Sequence, residues 1–245
     1  MNFVTAQWQA PANVKAVTTT RLGGYSSAPF DSLNLGDHVD DDADRVKQNR
    51  THLLQSLGLD KAPQWLTQVH GTEVIKAQPD NVCRTADACW TDEQGVACVV
   101  MTADCLPVFF ADSAGSRVAV AHAGWRGLLD GVLEQTLKVF PGPEEVCVWF
   151  GPAIGPEAFE VGKEVVEQFV SKQAEARGAF VSVAGKNDKY LADIYQLATL
   201  RLQASGVKSI SGGDLCTYSD KKHFFSYRRD GQTGRMASLI WLDNK

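Results

Sequence analysis

Two histidines and a cysteine stand where apolar, strand-like runs meet small or turn-forming residues: His70 in TQVHG, His122 in VAHAG and Cys105 in TADCLP. Strand ends that face one edge of a sheet are where folds of helices and sheets place their sites. Two imidazoles and one thiolate suit Zn2+, and three protein ligands leave a fourth position open to water or substrate, the arrangement of a catalytic rather than a structural zinc. The same residues admit a metal-free reading, in which Cys105 is a nucleophile and His70 or His122 its base. Copper is a third reading, because two histidines and a cysteine form part of a blue-copper site. The remaining histidines differ in context. His52 falls on the polar face of a helical stretch, His38 in an acidic loop and His223 in a lysine-flanked turn. These three are read as non-catalytic.

Charged residues near the same strand ends extend the candidate site. Arg21 precedes Gly23-Gly24, Arg126 follows the HAGW turn, and Arg228 follows FFSY. Guanidinium groups so placed would bind a phosphate or carboxylate bidentately, and each is a candidate substrate-binding residue. Asp104, next to Cys105, could orient a ligand histidine, act as a general base or cap a turn. None of the six cysteines forms a C-x-x-C pair, and Cys98 and Cys147 lie inside apolar runs as small buried hydrophobes.

The elements that must position these residues are mixed. GVACVVMT (95–102), PVFFA (107–111) and RVAVAH (117–122) are short apolar runs bounded by turn residues, as in strands buried on both faces. VKAVTTTR (14–21), QWLTQV, EVIKA, EVCVWF, KSISGG, FFSYRR and RMASLIWL also read as strands. Helical periodicity runs from the aspartates at 40–42 to Gly58, through Leu128, Leu129, Val132, Leu133, Leu137 and Phe140, and over about 161–171 and 190–205. Strands outnumber helices without strict βαβ alternation, so the fold class is α+β, read as one domain over residues 1–245.

Composition narrows the partners. The net charge is −5 over 245 residues, which argues against a general nucleic-acid binder and leaves a small anionic substrate open. No basic segment followed by an apolar run opens the chain, and no apolar stretch approaches the roughly 20 residues of a membrane span. The expectation is a cytoplasmic protein acting on small molecules, with neither nucleic acid nor membrane as partner.

Several motifs together carry a resemblance: TTRLGGYSSAPFDSLNLGDHVDDD, KQNR, TQVHG, MTADCLPV, AHAGWRG, GPAIGP with AFEVG, and FFSYRRDGQTGRMASLIWL. Over essentially the whole chain they resemble the YfiH family, also called the multicopper polyphenol oxidase or laccase-domain family. The resemblance implies a four-layer α/β/β/α sandwich with mixed sheets, similar to the cysteine-dependent catalytic domain of cytotoxic necrotising factor (CNF) toxins. It implies zinc held at His70, Cys105 and His122. It implies phosphorolysis of adenosine, inosine, guanosine and methylthioadenosine, with deamination of adenosine. It also implies, as an alternative, a peptidoglycan-editing hydrolase that releases L-serine from UDP-N-acetylmuramoyl-L-serine (UDP-MurNAc-L-Ser). The laccase name implies copper, but a multicopper centre needs many more imidazoles than five histidines supply. Copper oxidation of phenols is therefore set aside.

Overall fold

Apolar strands with bulky side chains on both faces must be covered on both faces, and the chain meets this need by stacking layers. The structure, a computed structural model, describes residues 1–243. Its elements begin with β1 (Phe3–Thr5), β2 (Val14–Thr19), α1 (Ala43–Leu57), β3 (Leu66–Thr67) and β4 (Val74–Lys76). Next come β5 (Arg84–Thr85), β6 (Ala88–Thr91), β7 (Cys98–Thr102), β8 (Leu106–Asp112) and β9 (Val118–Ala123). Then follow α2 (Trp125–Asp130), α3 (Val132–Leu137), β10 (Val146–Phe150), β11 (Glu160–Gly162) and α4 (Lys163–Lys172). The last are β12 (Phe180–Ser182), β13 (Lys189–Ala192), α5 (Ile194–Ala204), β14 (Ser209–Gly212), α6 (Tyr227–Asp230) and β15 (Met236–Leu242).

Two sheets form the centre. One has the order β1-β2-β15-β7, the other β14-β10-β8-β9-β6-β4. Alternation along each strand sends its side chains into different layers. On β8, Leu106, Val108 and Phe110 join Leu128, Leu133, Val166, Phe169 and Leu197 of the helices α2 to α5. Phe109 and Ala111 of the same strand turn the other way and pack with Val14, Ala16, Val100, Trp149 and Ile240 between the two sheets. The outer face of the four-stranded sheet, with Val17, Val99, Ala237 and Leu239, is covered by Leu53 of α1 and by Leu33 and Leu35. The order of layers is helix, sheet, sheet, helices. Among the described residues no helix is long and apolar enough to cross a membrane.

Three expectations about elements are corrected. The helix expected over about 190–205 begins only at Ile194, because Lys189–Ala192 pairs with β11 and β12 as β13. The single helix from Leu128 to Phe140 is two short helices, α2 and α3, because Gly131 stands in the left-handed region at φ 103° and breaks the hydrogen-bond ladder between them. FFSYRR is not a strand. Phe224 and Phe225 are buried in a loop, and Ser226 caps the short helix α6 by accepting from the Arg229 N–H.

The layering matters most at one rim. β7 belongs to the first sheet and β8 to the second, so Ala103, Asp104 and Cys105 are the chain's crossing from one sheet to the other. Asp104 takes φ 98° to make that crossing.

A candidate metal centre

Register sets the site. β8 and β9 pair so that Pro107 faces His122 and Leu106 faces Ala123. Two residues before Pro107 stands Cys105, and two after His122 stands Gly124. β6 and β9 pair with Ala88 opposite Ala121, and the Asp87 carbonyl accepts the His122 N–H at 2.7 Å. Cys105, His122 and Asp87 are thus laid side by side along one end of the second sheet. His122 shares the face of Val118 and Val120, which turn toward the other sheet.

His70 arrives differently. The expectation of a strand ending at His70 is only partly met, because β3 is two residues long and His70 sits in a bend at φ 60°. The loop is wrapped around the carboxylate of Asp87. Asp87 Oδ2 accepts from the N–H groups of Val69 (3.2 Å) and Gly71 (2.6 Å), and Oδ1 accepts from the His70 N–H (2.9 Å). Oδ1 also lies 2.8 Å from His122 Nδ1. One buried carboxylate therefore places both histidines. It fixes the His122 tautomer by accepting a hydrogen bond from Nδ1–H and leaves Nε2 as the atom free to ligate.

The resulting cluster is tight. Ligand atoms of His70, Cys105 and His122 all lie within 4.8 Å of one another. Cys105 Sγ is 3.8 Å from His70 Nε2, and the two imidazole rings stand edge to face with centroids 4.7 Å apart. Gly124 makes the cluster sterically feasible. A Cβ there would stand 2.7 Å from His70 Cδ2 and 3.1 Å from Cys105 Sγ. The backbone there does not require a glycine, since its φ of −63° is open to any residue. Its role is clearance.

Electrostatics ties the three groups together. Burial pushes the Cys105 thiol up, but the His122 and His70 imidazoles outweigh it and hold the thiol down at about 6. Burial pushes His122 down, and Cys105 and Asp87 reverse this and raise it to about 9. Asp87, raised by burial, is brought below the ordinary carboxylate range by His122 and the N–H groups of Gly71 and Val69. Without metal, the centre is a thiolate–imidazolium pair backed by a carboxylate.

Two clefts open on the cluster. The first, of about 380 Å3, is lined by His70, Cys105 and His122 together with Gln68, Tyr227 and Arg235. The second, of about 250 Å3, shares Ala103, Cys105 and Tyr227 and adds Trp125, Arg126, Phe159 and Arg228. Of the arginines expected at the site, Arg126 and Arg228 line the second cleft, and Arg21 lines neither. The Arg21 guanidinium is committed to Asp31 and the Lys221 carbonyl and stacks over Phe225. His38, read as non-catalytic, stands on the wall of the first cleft.

Asp104 does not touch a histidine. Its carboxylate accepts from Thr217 Oγ1 (2.6 Å), Ser226 Oγ (3.0 Å) and the Arg228 N–H (2.6 Å). It fastens the crossing between the sheets to α6, and so sets Tyr227 and Arg228 over the clefts. The residue that orients His122 is Asp87, which sequence reasoning missed. The signal was present: Thr-Ala-Asp occurs at 85–87 as it does at 102–104, each leading into an apolar strand. Only strand pairing tells the two aspartates apart.

Comparison with known proteins agrees with this architecture. Residues 15–243 match the family model described as multi-copper polyphenol oxidoreductase laccase. The chain is 56% identical over 243 residues to a protein of Pseudomonas aeruginosa named purine nucleoside phosphorylase PA4543, covering 99% of each chain. It is 53% identical to the Escherichia coli protein named purine nucleoside phosphorylase YfiH, covering 98% of each. Among solved structures, Neisseria meningitidis protein NMB0706 superposes with a TM-score of 0.95 at 50% identity over 100% of both chains.

Proposed function

Because the chain belongs to the multi-copper polyphenol oxidoreductase laccase family, which includes YfiH, we propose that it is a zinc-dependent purine nucleoside phosphorylase. Its substrates are adenosine, inosine, guanosine and methylthioadenosine, and adenosine deamination is a second activity of the same centre. The observation that carries this reading is the cluster of His70, Cys105 and His122 opening onto a cleft of about 380 Å3. A cleft of this size falls in the range that accepts small organic molecules.

The donor set fits zinc. Two imidazole nitrogens and one sulfur within 4.8 Å match its preferred ligands, and the carboxylate behind His122 is the usual support of a zinc-bound imidazole. A bound zinc would supply Lewis acidity at a fourth, open position. The chain's own residues do the rest. Asp87 holds the histidine loop and the His122 ring in register. Tyr227, 62% exposed at the junction of the two clefts, offers a ring face on which a purine can stack. Arg126 and Arg228 present guanidinium groups to substrate oxygens from the second cleft. Copper oxidation is not supported: among the described residues this is the only group of three or more such side chains that could hold a metal, and a multicopper centre needs several.

Hydrolysis of UDP-MurNAc-L-Ser is the second reading, supported by the thiol–imidazole–carboxylate line of Cys105, His122 and Asp87. Product assays separate the two. Adenosine with phosphate yields adenine and ribose 1-phosphate, and adenosine without phosphate yields inosine. The cell-wall precursor yields free serine only if the second reading holds. The purified protein is expected to carry about one zinc per chain, and Cys105→Ala is expected to lose both zinc and turnover. Full activity in Cys105→Ala would sink the shared-centre reading.

A further inference from the structure

A half-buried guanidinium that makes no salt bridge can take up an anion, and the fold holds such a cation beside the His70–Cys105–His122 cluster. The chain has eleven arginines. Arg21, Arg45, Arg50, Arg84, Arg117, Arg201 and Arg229 each pair with a carboxylate. Among the described residues Arg126, Arg177, Arg228 and Arg235 do not. Arg126 and Arg228 are exposed on the second cleft, and Arg228 already donates to the Glu160 carbonyl. Arg235 differs: it lines the first cleft together with His70, Cys105 and His122.

Its placement is fixed from several sides. Asn34 Oδ1 accepts the Arg235 N–H at 2.9 Å and the Gly36 N–H at 2.9 Å. The aliphatic stem lies so close to Gly36 that a Cβ there would stand 2.8 Å from Arg235 Cγ. The guanidinium lies over the Tyr227 ring at 5.9 Å, and only Nη1 is bonded, to the Thr233 and Gly234 carbonyls. Nε and Nη2 keep their donors. Thr102 lines the same cleft, and its hydroxyl is buried and has no hydrogen-bond partner among the described residues. An unpaired guanidinium and an unpartnered hydroxyl on one cleft wall match an oxyanion.

We propose that Arg235 and Thr102 form the site that holds inorganic phosphate next to the His70–Cys105–His122 cluster. This rests on the phosphorylase reading above. In that reaction a phosphate oxygen forms a bond to the sugar C1′ as the C1′–N9 bond breaks. The purine leaves with that electron pair, and the proton of hydrogen phosphate passes to the purine. Phosphate must therefore lie against the cluster, and Arg235 lines the cleft that meets all three of its residues, whereas Arg126 and Arg228 line the cleft that meets only Cys105.

The test is steady-state phosphorolysis of inosine with phosphate and nucleoside varied separately, joined to calorimetry with inorganic phosphate alone. Arg235→Gln raises the KM for phosphate tenfold or more and the KM for inosine less than threefold, with zinc content unchanged; Arg235→Lys recovers part of the loss. Thr102→Val, which keeps the side-chain shape, raises the phosphate KM severalfold and provides the test if Arg235→Gln does not fold. Arg177→Gln, an unpaired arginine away from both clefts that stacks on Tyr190, leaves both KM values as they were. Equal rises in the two KM values, or phosphate binding that survives in Arg235→Gln, would overturn the proposal. So would tighter binding of adenosine 5′-monophosphate than of inorganic phosphate, since the site would then take a substrate phosphoryl group. A wild-type protein that binds phosphate through Arg235 but performs no phosphorolysis would keep the anion site and defeat the phosphorylase reading. A wild-type protein that binds no phosphate defeats the anion site itself.

Discussion

Asp87 holds the centre together through four hydrogen bonds, all accepted by one carboxylate: three from backbone N–H groups and one from His122 Nδ1. A carboxylate can accept all four, whereas an amide cannot. Asp87→Asn must turn an NH2 group either toward donor N–H groups of the His70 loop or toward the Nδ1 proton of His122. The first leaves buried donors opposed, and the second moves the proton to Nε2, the atom that would bind metal. Asp87→Asn is therefore expected to lower zinc affinity by about 10- to 100-fold, measured by competition with a chromophoric chelator. Asp104→Asn, although adjacent to Cys105 in sequence, is expected to leave zinc affinity within about threefold, because its partners are Thr217, Ser226 and Arg228. The three residues of the cluster were legible in the sequence because each stands at the end of an apolar run. Asp87 and Arg235 were not, because nothing local marks an aspartate that faces a histidine across a strand pair or an arginine that lacks a carboxylate.

At the scale of elements, the centre depends on how closely β8, β9 and the start of α2 approach the His70 loop. That closeness is set at Gly124, whose missing side chain leaves room for the His70 ring and the Cys105 sulfur. Gly124→Ala keeps an ordinary backbone conformation, since φ is −63°. The cost falls on the site, where a Cβ at 2.7 Å from His70 Cδ2 forces the imidazole outward. Zinc content should fall by at least half, while the chelated protein loses no more than about 1–3 kcal/mol of stability, read from urea unfolding. Retained zinc with full activity would show that the loop absorbs the methyl group, and the clearance role would be wrong. Element boundaries were legible where a strand is buried on both faces, as in β7 to β10. They were hidden where hydrophobic periodicity runs on through a break, as at Gly131, or where a loop buries aromatic residues without forming a strand, as at Phe224 and Phe225.

Across the whole molecule, the cluster joins parts that the core keeps in separate layers. His122 comes from the six-stranded sheet, Cys105 from the crossing between sheets, and His70 from a loop that is tied to the other sheet. That tie is made by Gln68, which donates to the Met101 carbonyl at 2.8 Å and accepts the Met101 N–H at 2.7 Å. The four layers were expected from family resemblance and follow in the structure from alternation along each strand; apolar runs and helical periodicity pointed only to the mixture of helices and strands. Because the three residues come from one sheet, the crossing between sheets and a loop tied to the other sheet, a metal held by them would bind the folded molecule and find no preformed site in the unfolded chain. Binding must then stabilise the whole fold by mass action, by about 2.7 kcal/mol when free metal is 100-fold above Kd. For a domain of this length that corresponds to roughly 5–10 °C in Tm. Chelation should lower Tm by this amount, and zinc should restore it in proportion to the logarithm of its free concentration. Cys105→Ala should lose most of the zinc-dependent increment while keeping a cooperative transition, since the core packs without the thiol. An increment that persists in Cys105→Ala would mean that the metal acts elsewhere on the molecule.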